Sequence, residues 1–209
     1  MTALEDVPLE GWCPPAKRDY LTGWIAGHDS RLIVEIGVYG GASFIPMALQ
    51  AMKNEGSRCI GIDPWNVRDC LQGMKNPWDR FWWRSRSNLN SVEKGCREAV
   101  KALELTNVEL WKGTSDSYIG SFQDEEIDVL SIDGNHGPQA VLDAVNYLPK
   151  TKPGALIAMD DEDWADDGIF YVREAIEFLV THGCKILTEI DHCVMLQKAP
   201  SPGQPVVPG

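Results

Sequence analysis

An α/β fold built on a doubly wound, mostly parallel sheet is predicted by three observations. Short apolar runs alternate with helical stretches along the chain, the first such run ends in a glycine turn that opens a helix, and the last two runs lie too close together for a helix between them. The chain has 209 residues, 44% of them hydrophobic and 24% charged, which suits one well-buried domain and is too short for two ordinary domains with a linker.

Residues 14–28 begin with prolines and carry Tyr20, Leu21, Trp24 and Ile25, the spacing of a leading amphipathic helix. The apolar run 32–36 then ends in glycine, a helix follows over 43–54, and 59–63 is a second short strand. Strand, turn, helix and strand make a βαβ unit with its right-handed crossover. The alternation continues with a helix over 91–105, strands over 108–112 and 127–132, a helix over 138–147, a strand over 155–159 and a helix over 169–181. Strands over 185–189 and 194–197 complete a sheet of seven, and with only residues 190–193 between them these two must form an antiparallel hairpin at the sheet edge. Residues 1–199 are thus expected to form one domain, with an aromatic insertion over 66–90 and an extended proline-rich tail over 200–209.

A formal net charge of -12 argues against a nucleic-acid partner, which calls for a basic face to neutralise phosphates. No apolar run reaches the roughly 18 residues that span a bilayer, and the first residues lack the basic and apolar regions of a secretory signal. A cytoplasmic protein with no membrane partner is expected. The six cysteines are scattered without a Cys-x-x-Cys pair, so they read as reduced and mostly buried thiols.

Ligands of a doubly wound sheet collect at the carboxyl ends of its strands, so the first turn, Glu35-Ile36-Gly37-Val38-Tyr39-Gly40-Gly41-Ala42-Ser43, indicates what is bound. A dinucleotide site calls for Gly-x-Gly-x-x-Gly, and Tyr39 stands at the second glycine position. The spacing acidic-x-Gly-x-x-x-Gly instead resembles the first motif of the class I methyltransferases, whose Rossmann-like domain binds S-adenosylmethionine. That resemblance implies cofactor contacts from Glu35, Gly37, Tyr39, Gly41 and Ser43. Asp63, at the end of the second strand, could accept hydrogen bonds from both hydroxyls of a ribose, a property it would share with NAD sites. A tight strand-to-helix turn with no ligand remains the plain alternative for the glycines.

Two further apolar runs each deliver an aspartate past their ends, in Ile132-Asp133-Gly134-Asn135-His136 and in Met159-Asp160-Asp161. One βαβ unit separates them, which puts Asp133, Asp160 and Asp161 at the same edge of neighbouring parallel strands. Three converging carboxylates suit Mg²⁺ or another divalent cation, which could hold the oxygen of an acceptor and lower its pKa. His136 could take the hydroxyl proton near neutral pH. The same stretches, with Leu148-Pro149-Lys150-Thr151-Lys152-Pro153-Gly154 leading into the second, are similar to the metal-dependent sugar O-methyltransferases of macrolide tailoring and their cephalosporin-hydroxylase-like relatives. The resemblance implies metal ligands in Asp133, Asp160 and Asp161, a general base in His136 and a role for Asp133 beside the cofactor. Here Asp160 stands where relatives tend to carry a glutamate. Solvated loop acids, which Asp166 and Asp167 are expected to be, and a backbone-bonded histidine at a helix start are the plain alternatives.

In Gly113-Thr114-Ser115, Ser115 matches the family's adenine and ribose side, or else caps a helix. The stretch between Asp63 and the helix over 91–105 carries Trp65, Trp78, Phe81, Trp82 and Trp83 with Arg80, Arg84 and Arg86 among them, and it leaves the same sheet edge. Trp65, Trp82, Trp83 and Arg84 could close over the acceptor and recognise an anionic or planar group. A packed satellite cluster or a contact between two copies of the chain is the other reading, and a homo-oligomer stays open. The sequence therefore points to a Mg²⁺-dependent S-adenosylmethionine O-methyltransferase acting on a small hydroxylated acceptor such as a sugar, polyol or natural product. An NAD(P)-dependent oxidoreductase and a non-catalytic S-adenosylmethionine-binding module are the alternatives.

Overall fold

The computed structural model describes residues 2–85 and 88–199, so the tail over 200–209 and Arg86 of the insertion lie outside the described residues. Seven strands, β1 (Leu32–Ile36), β2 (Arg58–Asp63), β3 (Val108–Lys112), β4 (Ile127–Ile132), β5 (Thr151–Met159), β6 (Cys184–Ile190) and β7 (Cys193–Lys198), form one sheet in the order β3-β2-β1-β4-β5-β7-β6. β1 to β5 pair in parallel, whereas β7 is antiparallel to both of its neighbours.

The closing hairpin is at the edge, but it is folded inward. β6 arrives by a crossover one strand spacing beyond β5, and β7 fills the vacant slot between them, so the last strand rather than the hairpin's first pairs with β5.

Helices cover both faces, as unbroken apolar strands require. Alternate residues of one strand serve opposite layers. Ile33, Val129 and Leu156 pack with Leu21 and Ile25 of α1 (Pro15–Gly27), Phe44 and Met47 of α2 (Phe44–Ala51), and Val92 and Cys96 of a later helix over Leu89–Ala102. Val34, Leu130 and Ile157 pack with Ala140 and Ala144 of the helix over Pro138–Tyr147, and with Val172, Ala175 and Leu179 of the helix over Tyr171–Thr181. Strand order reverses at β1, which lies between β2 and β4, so the crevice of a doubly wound sheet opens at the carboxyl ends of these three strands.

The insertion is more ordered than a plain connection. It folds into α3 (Val67–Cys70), whose N-cap Asn66 side chain accepts the Asp69 N–H at 2.9 Å, and the amphipathic α4 (Pro77–Ser85). The helices over Leu89–Ala102, Pro138–Tyr147 and Tyr171–Thr181 are then α5, α6 and α7. Asp166 is not a solvated acid. It is 2% exposed, and its carboxylate accepts the backbone N–H groups of Lys75 and Asn76 at 2.7–3.0 Å, tying the insertion to the loop after β5. Among the described residues no helix is long and apolar enough to cross a membrane, and all six cysteines are free thiols.

Candidate active site

The glycine turn after β1 is shaped by its neighbours. Gly37 has φ +89°, and a Cβ there would lie 2.1 Å from the Asp133 carbonyl oxygen, so only glycine lets β1 and β4 release their chains side by side. Tyr39 also takes the left-handed region, at φ +48°. It is held by Asp63, whose two carboxylate oxygens accept the backbone N–H groups of Tyr39 at 2.8 Å and Trp65 at 2.7 Å. Burial nevertheless pushes the Asp63 carboxyl up to about 6. Glu10 lies on the turn from outside, its carbonyl oxygen 2.4 Å from where a Cβ of Gly40 would stand.

One cavity of about 910 Å³ runs from this turn to the acidic corner. Gly37, Tyr39, Ser43, Asp63, Ser115, Asp133, His136, Asp160, Asp161, Trp82 and Trp83 all line it, joined by Trp12 from the N-terminal segment and His192 from the β6–β7 turn. Four of the residues read from sequence as contacts do not line it. Glu35 is fully buried beneath the turn, where its Oε1 accepts the hydroxyls of Ser43 at 2.8 Å and Ser131 at 3.1 Å; burial pushes its carboxyl up to about 7. Gly41 packs on Ile45. Trp65 is buried below the turn and donates its indole N–H to the Tyr39 carbonyl at 2.8 Å. Arg84 lies exposed on α4, outside the cavity. Glu35 and Trp65 thus support the turn from beneath it.

Ser115 is anchored in place. Its hydroxyl donates to Asp143 Oδ1 at 2.5 Å, its carbonyl accepts the Tyr147 hydroxyl at 2.9 Å, and burial pushes the Asp143 carboxyl up to about 6. Asn135, between Asp133 and His136, locks the histidine turn to the insertion. Its amide N–H₂ donates to the Gln72 carbonyl at 2.7 Å, and its Oδ1 accepts the Gly137 N–H at 2.8 Å.

In the acidic corner the three aspartates converge, together with a residue that the sequence reading passed over. Lys17, fully buried on α1, donates from Nζ to Asp133 Oδ2 at 3.0 Å and also to Asp160 Oδ2. Burial works against both charges of the Lys17–Asp160 pair, but their mutual attraction outweighs it, raising the ammonium's pKa and lowering that of Asp160. Asp133 moves well up, because it is buried and shares the single ammonium with a second carboxylate. The signal was present in the sequence: Lys17, Leu21 and Ile25 recur every four residues and form the buried face of α1.

Nε2 of His136 is 3.3 Å from Asp161 Oδ2, and among the described residues it has no hydrogen-bond partner. Burial lowers the imidazole's pKa, against the pull of Asp161 and Asp160, and favours the neutral ring. Asp133, His136 and Asp161 can place one donor atom each within 4.8 Å of one another. Asp160, which Lys17 holds together with Asp133, is not in that group.

A family model described as a methyltransferase domain matches residues 34–162, more than half of the chain. The chain belongs to this methyltransferase-domain family. The match starts within β1 and ends just past the acidic pair, so it spans the glycine turn, Asp63, Ser115, Asp133, His136, Asp160 and Asp161, while Lys17 precedes it. Among solved structures the chain is similar to the O-methyltransferase TomG from Streptomyces achromogenes, involved in tomaymycin synthesis and solved with S-adenosylmethionine. Identity is 18%, 91% of this chain and 82% of that one are covered, and the TM-score is 0.67. It is similar to an O-methyltransferase from Bacillus cereus in complex with S-adenosylhomocysteine, with 16% identity, 93% and 85% coverage and a TM-score of 0.64. The O-methyltransferase NovP gives 19% identity, 88% and 78% coverage and a TM-score of 0.67. Among curated proteins, none matches the chain by sequence. The seven-stranded sheet with its inserted antiparallel strand is thus the class I methyltransferase fold.

Proposed function

We propose that this methyltransferase transfers the methyl group of S-adenosylmethionine to a hydroxyl of a small molecule, with His136 accepting the hydroxyl proton. The observation that carries the reading is the continuity of the cavity: one space of about 910 Å³ joins the glycine turn and Asp63 to His136 and Asp161. That volume lies within the range of roughly 300–1,000 Å³ typical of small-molecule sites. The printed descriptions of TomG and NovP as O-methyltransferases support the choice of oxygen as acceptor atom.

In this reading the cofactor lies along Gly37 and Tyr39 with its ribose at Asp63, whose oxygens keep lone pairs beyond the two N–H bonds they accept. Its adenine side faces Ser115, and its sulfonium points toward the acidic corner. The acceptor enters under Trp82 and Trp83, whose rings meet edge to face with centroids 5.0 Å apart. Aromatic walls without Arg84 favour a planar or apolar acceptor body over an anionic one. The acceptor oxygen attacks the methyl carbon in line as the C–S bond breaks; the bonding pair stays on sulfur, and the O–H proton passes to Nε2 of His136. Positive charge therefore moves from the sulfonium to an imidazolium, and Asp161 lies 3.3 Å away to stabilise it.

A divalent cation could be held by Asp133, His136 and Asp161 and would polarise the acceptor oxygen. A ring nitrogen that held the ion would not be free to take the proton.

The test is calorimetric titration with S-adenosylhomocysteine and NADH, then mass spectrometry of reactions containing S-adenosylmethionine and a panel of phenols, catechols and sugars. Binding of S-adenosylhomocysteine and a gain of one methyl group by one acceptor class are expected. NADH binding alone would establish the oxidoreductase, and cofactor binding with no turnover on any acceptor would leave a binding module.

A further inference from the structure

The carboxylates that the sequence offers to a metal already hold a cation. We infer that Lys17 is the resident cation of the acidic corner, holding Asp133 and Asp160 together and excluding a divalent metal from between them. The geometric claim stands apart from the methyltransferase reading above; the turnover measurement below rests on it.

The geometry carries it. Lys17 Nζ reaches Oδ2 of Asp133 and Oδ2 of Asp160, the same two oxygens that would face a shared metal. An ion bound to both would need to be roughly 2.0–2.6 Å from each, in the space the ammonium fills. The ammonium is not a visiting group. Its stem is buried in the face of α1 that continues through Leu21 and Ile25, both fully buried in the core over the sheet. For the ammonium to leave, this buried chain would have to find another partner or reach water through packed side chains, and the two carboxylates would be left facing each other.

Lys17 does not line the cavity, whereas Asp133 and Asp160 do, so it acts through them. It is a positioning residue that holds two carboxylates at fixed places on the rim.

Mn²⁺ titration followed by electron paramagnetic resonance tests this on the full chain. Wild type should take up no ion that depends on Asp160, Lys17→Met should take up one such ion per chain with affinity raised at least about tenfold, and Lys17→Arg should behave as wild type. In turnover, Lys17→Met should lose about a hundredfold in kcat while KM for S-adenosylmethionine stays within about threefold, and Lys17→Arg should recover part of the loss. Mn²⁺ uptake by wild type that is lost in Asp160→Asn but kept in His136→Ala overturns the inference, since that ion would lie between Asp133 and Asp160. A folded Lys17→Met that takes up no ion also overturns it. If Lys17→Met does not fold, the wild-type and Lys17→Arg titrations still decide. Failure to bind S-adenosylhomocysteine would remove the methyltransferase reading alone, since the Mn²⁺ measurement needs no cofactor.

Discussion

A side chain on Gly37 would strike the carbonyl oxygen of Asp133: the Cβ position stands 2.1 Å from it, where β1 and β4 leave the sheet together. The turn proposed to hold the cofactor and the strand end that carries the acidic corner are therefore fitted to each other through a position with no side chain.

Gly37→Ala should unfold or distort this junction, at a cost of about 3 kcal/mol or more from backbone clash added to the strain of φ +89°. Gly154 provides the comparison, with φ +83° and nothing within 4 Å of a Cβ, so Gly154→Ala should cost only about 1–2 kcal/mol. Chemical denaturation of both variants measures the difference, and equal losses would show that the approach to Asp133 does not matter.

Stability should fall as pH rises through the acid range because of Glu35. Its folded-state carboxyl is pushed up to about 7 by burial from an ordinary value near 4.5. The folded state therefore holds a proton that the unfolded state has released. This contribution is fully present below about pH 4.5 and is lost as pH approaches 7, amounting to a few kcal/mol at most. Glu35→Gln should flatten the profile and stabilise the protein at pH 8 more than at pH 5. Melting temperatures across that interval check it, and parallel curves for the two proteins would refute it.

His136→Ala should reduce kcat by about 10²–10⁴ while leaving S-adenosylhomocysteine affinity nearly unchanged, because the ring stands at the acceptor end of the cavity. Single-turnover assays paired with calorimetry separate the two effects. A parallel loss of affinity would place His136 at the cofactor instead.

Tryptophans between Asp63 and α5 should divide by burial. Trp65→Ala should cost about 3–5 kcal/mol, since its ring is buried and its N–H holds the Tyr39 carbonyl. Trp82→Ala should leave the melting temperature almost unmoved and raise KM for the acceptor. Trp78, 78% exposed at the cavity mouth, should affect neither strongly. A stability loss in Trp82→Ala comparable with that of Trp65→Ala would make α4 part of the core.

The sheet was legible in the sequence because strands buried on both faces must be apolar throughout, and the aspartates past β4 and β5 followed from counting to the strand ends. The start of β5 was not. It runs from Thr151 through Pro153 and Gly154, with a register slip against β4 between Ile127 and Val129, and a proline without an N–H signals the end of a strand more often than its interior. α3 carried a readable cap in Asn66, but its four residues are too few to show a helical period. Glu35 looked like a ligand because an acid beside a glycine turn usually is one; only the positions of Ser43 and Ser131 reveal that it is bonded beneath the turn. Lys17 escaped because helix lysines ordinarily extend into water, and the carboxylates that draw it inward are more than a hundred residues away in sequence.

The strand that slips between β5 and β6 has a consequence for the order of events during synthesis. Its turn supplies His192 to a cavity whose opposite wall includes Trp12. Everything from the glycine turn to the acidic pair can have left the ribosome while the central sheet still lacks a neighbour for β5. β6 pairs with β7 alone, so the hairpin is expected to dock on β5 as a unit, and a nascent chain stalled before residue 193 would carry every expected catalytic side chain while β5 still lacked its neighbour.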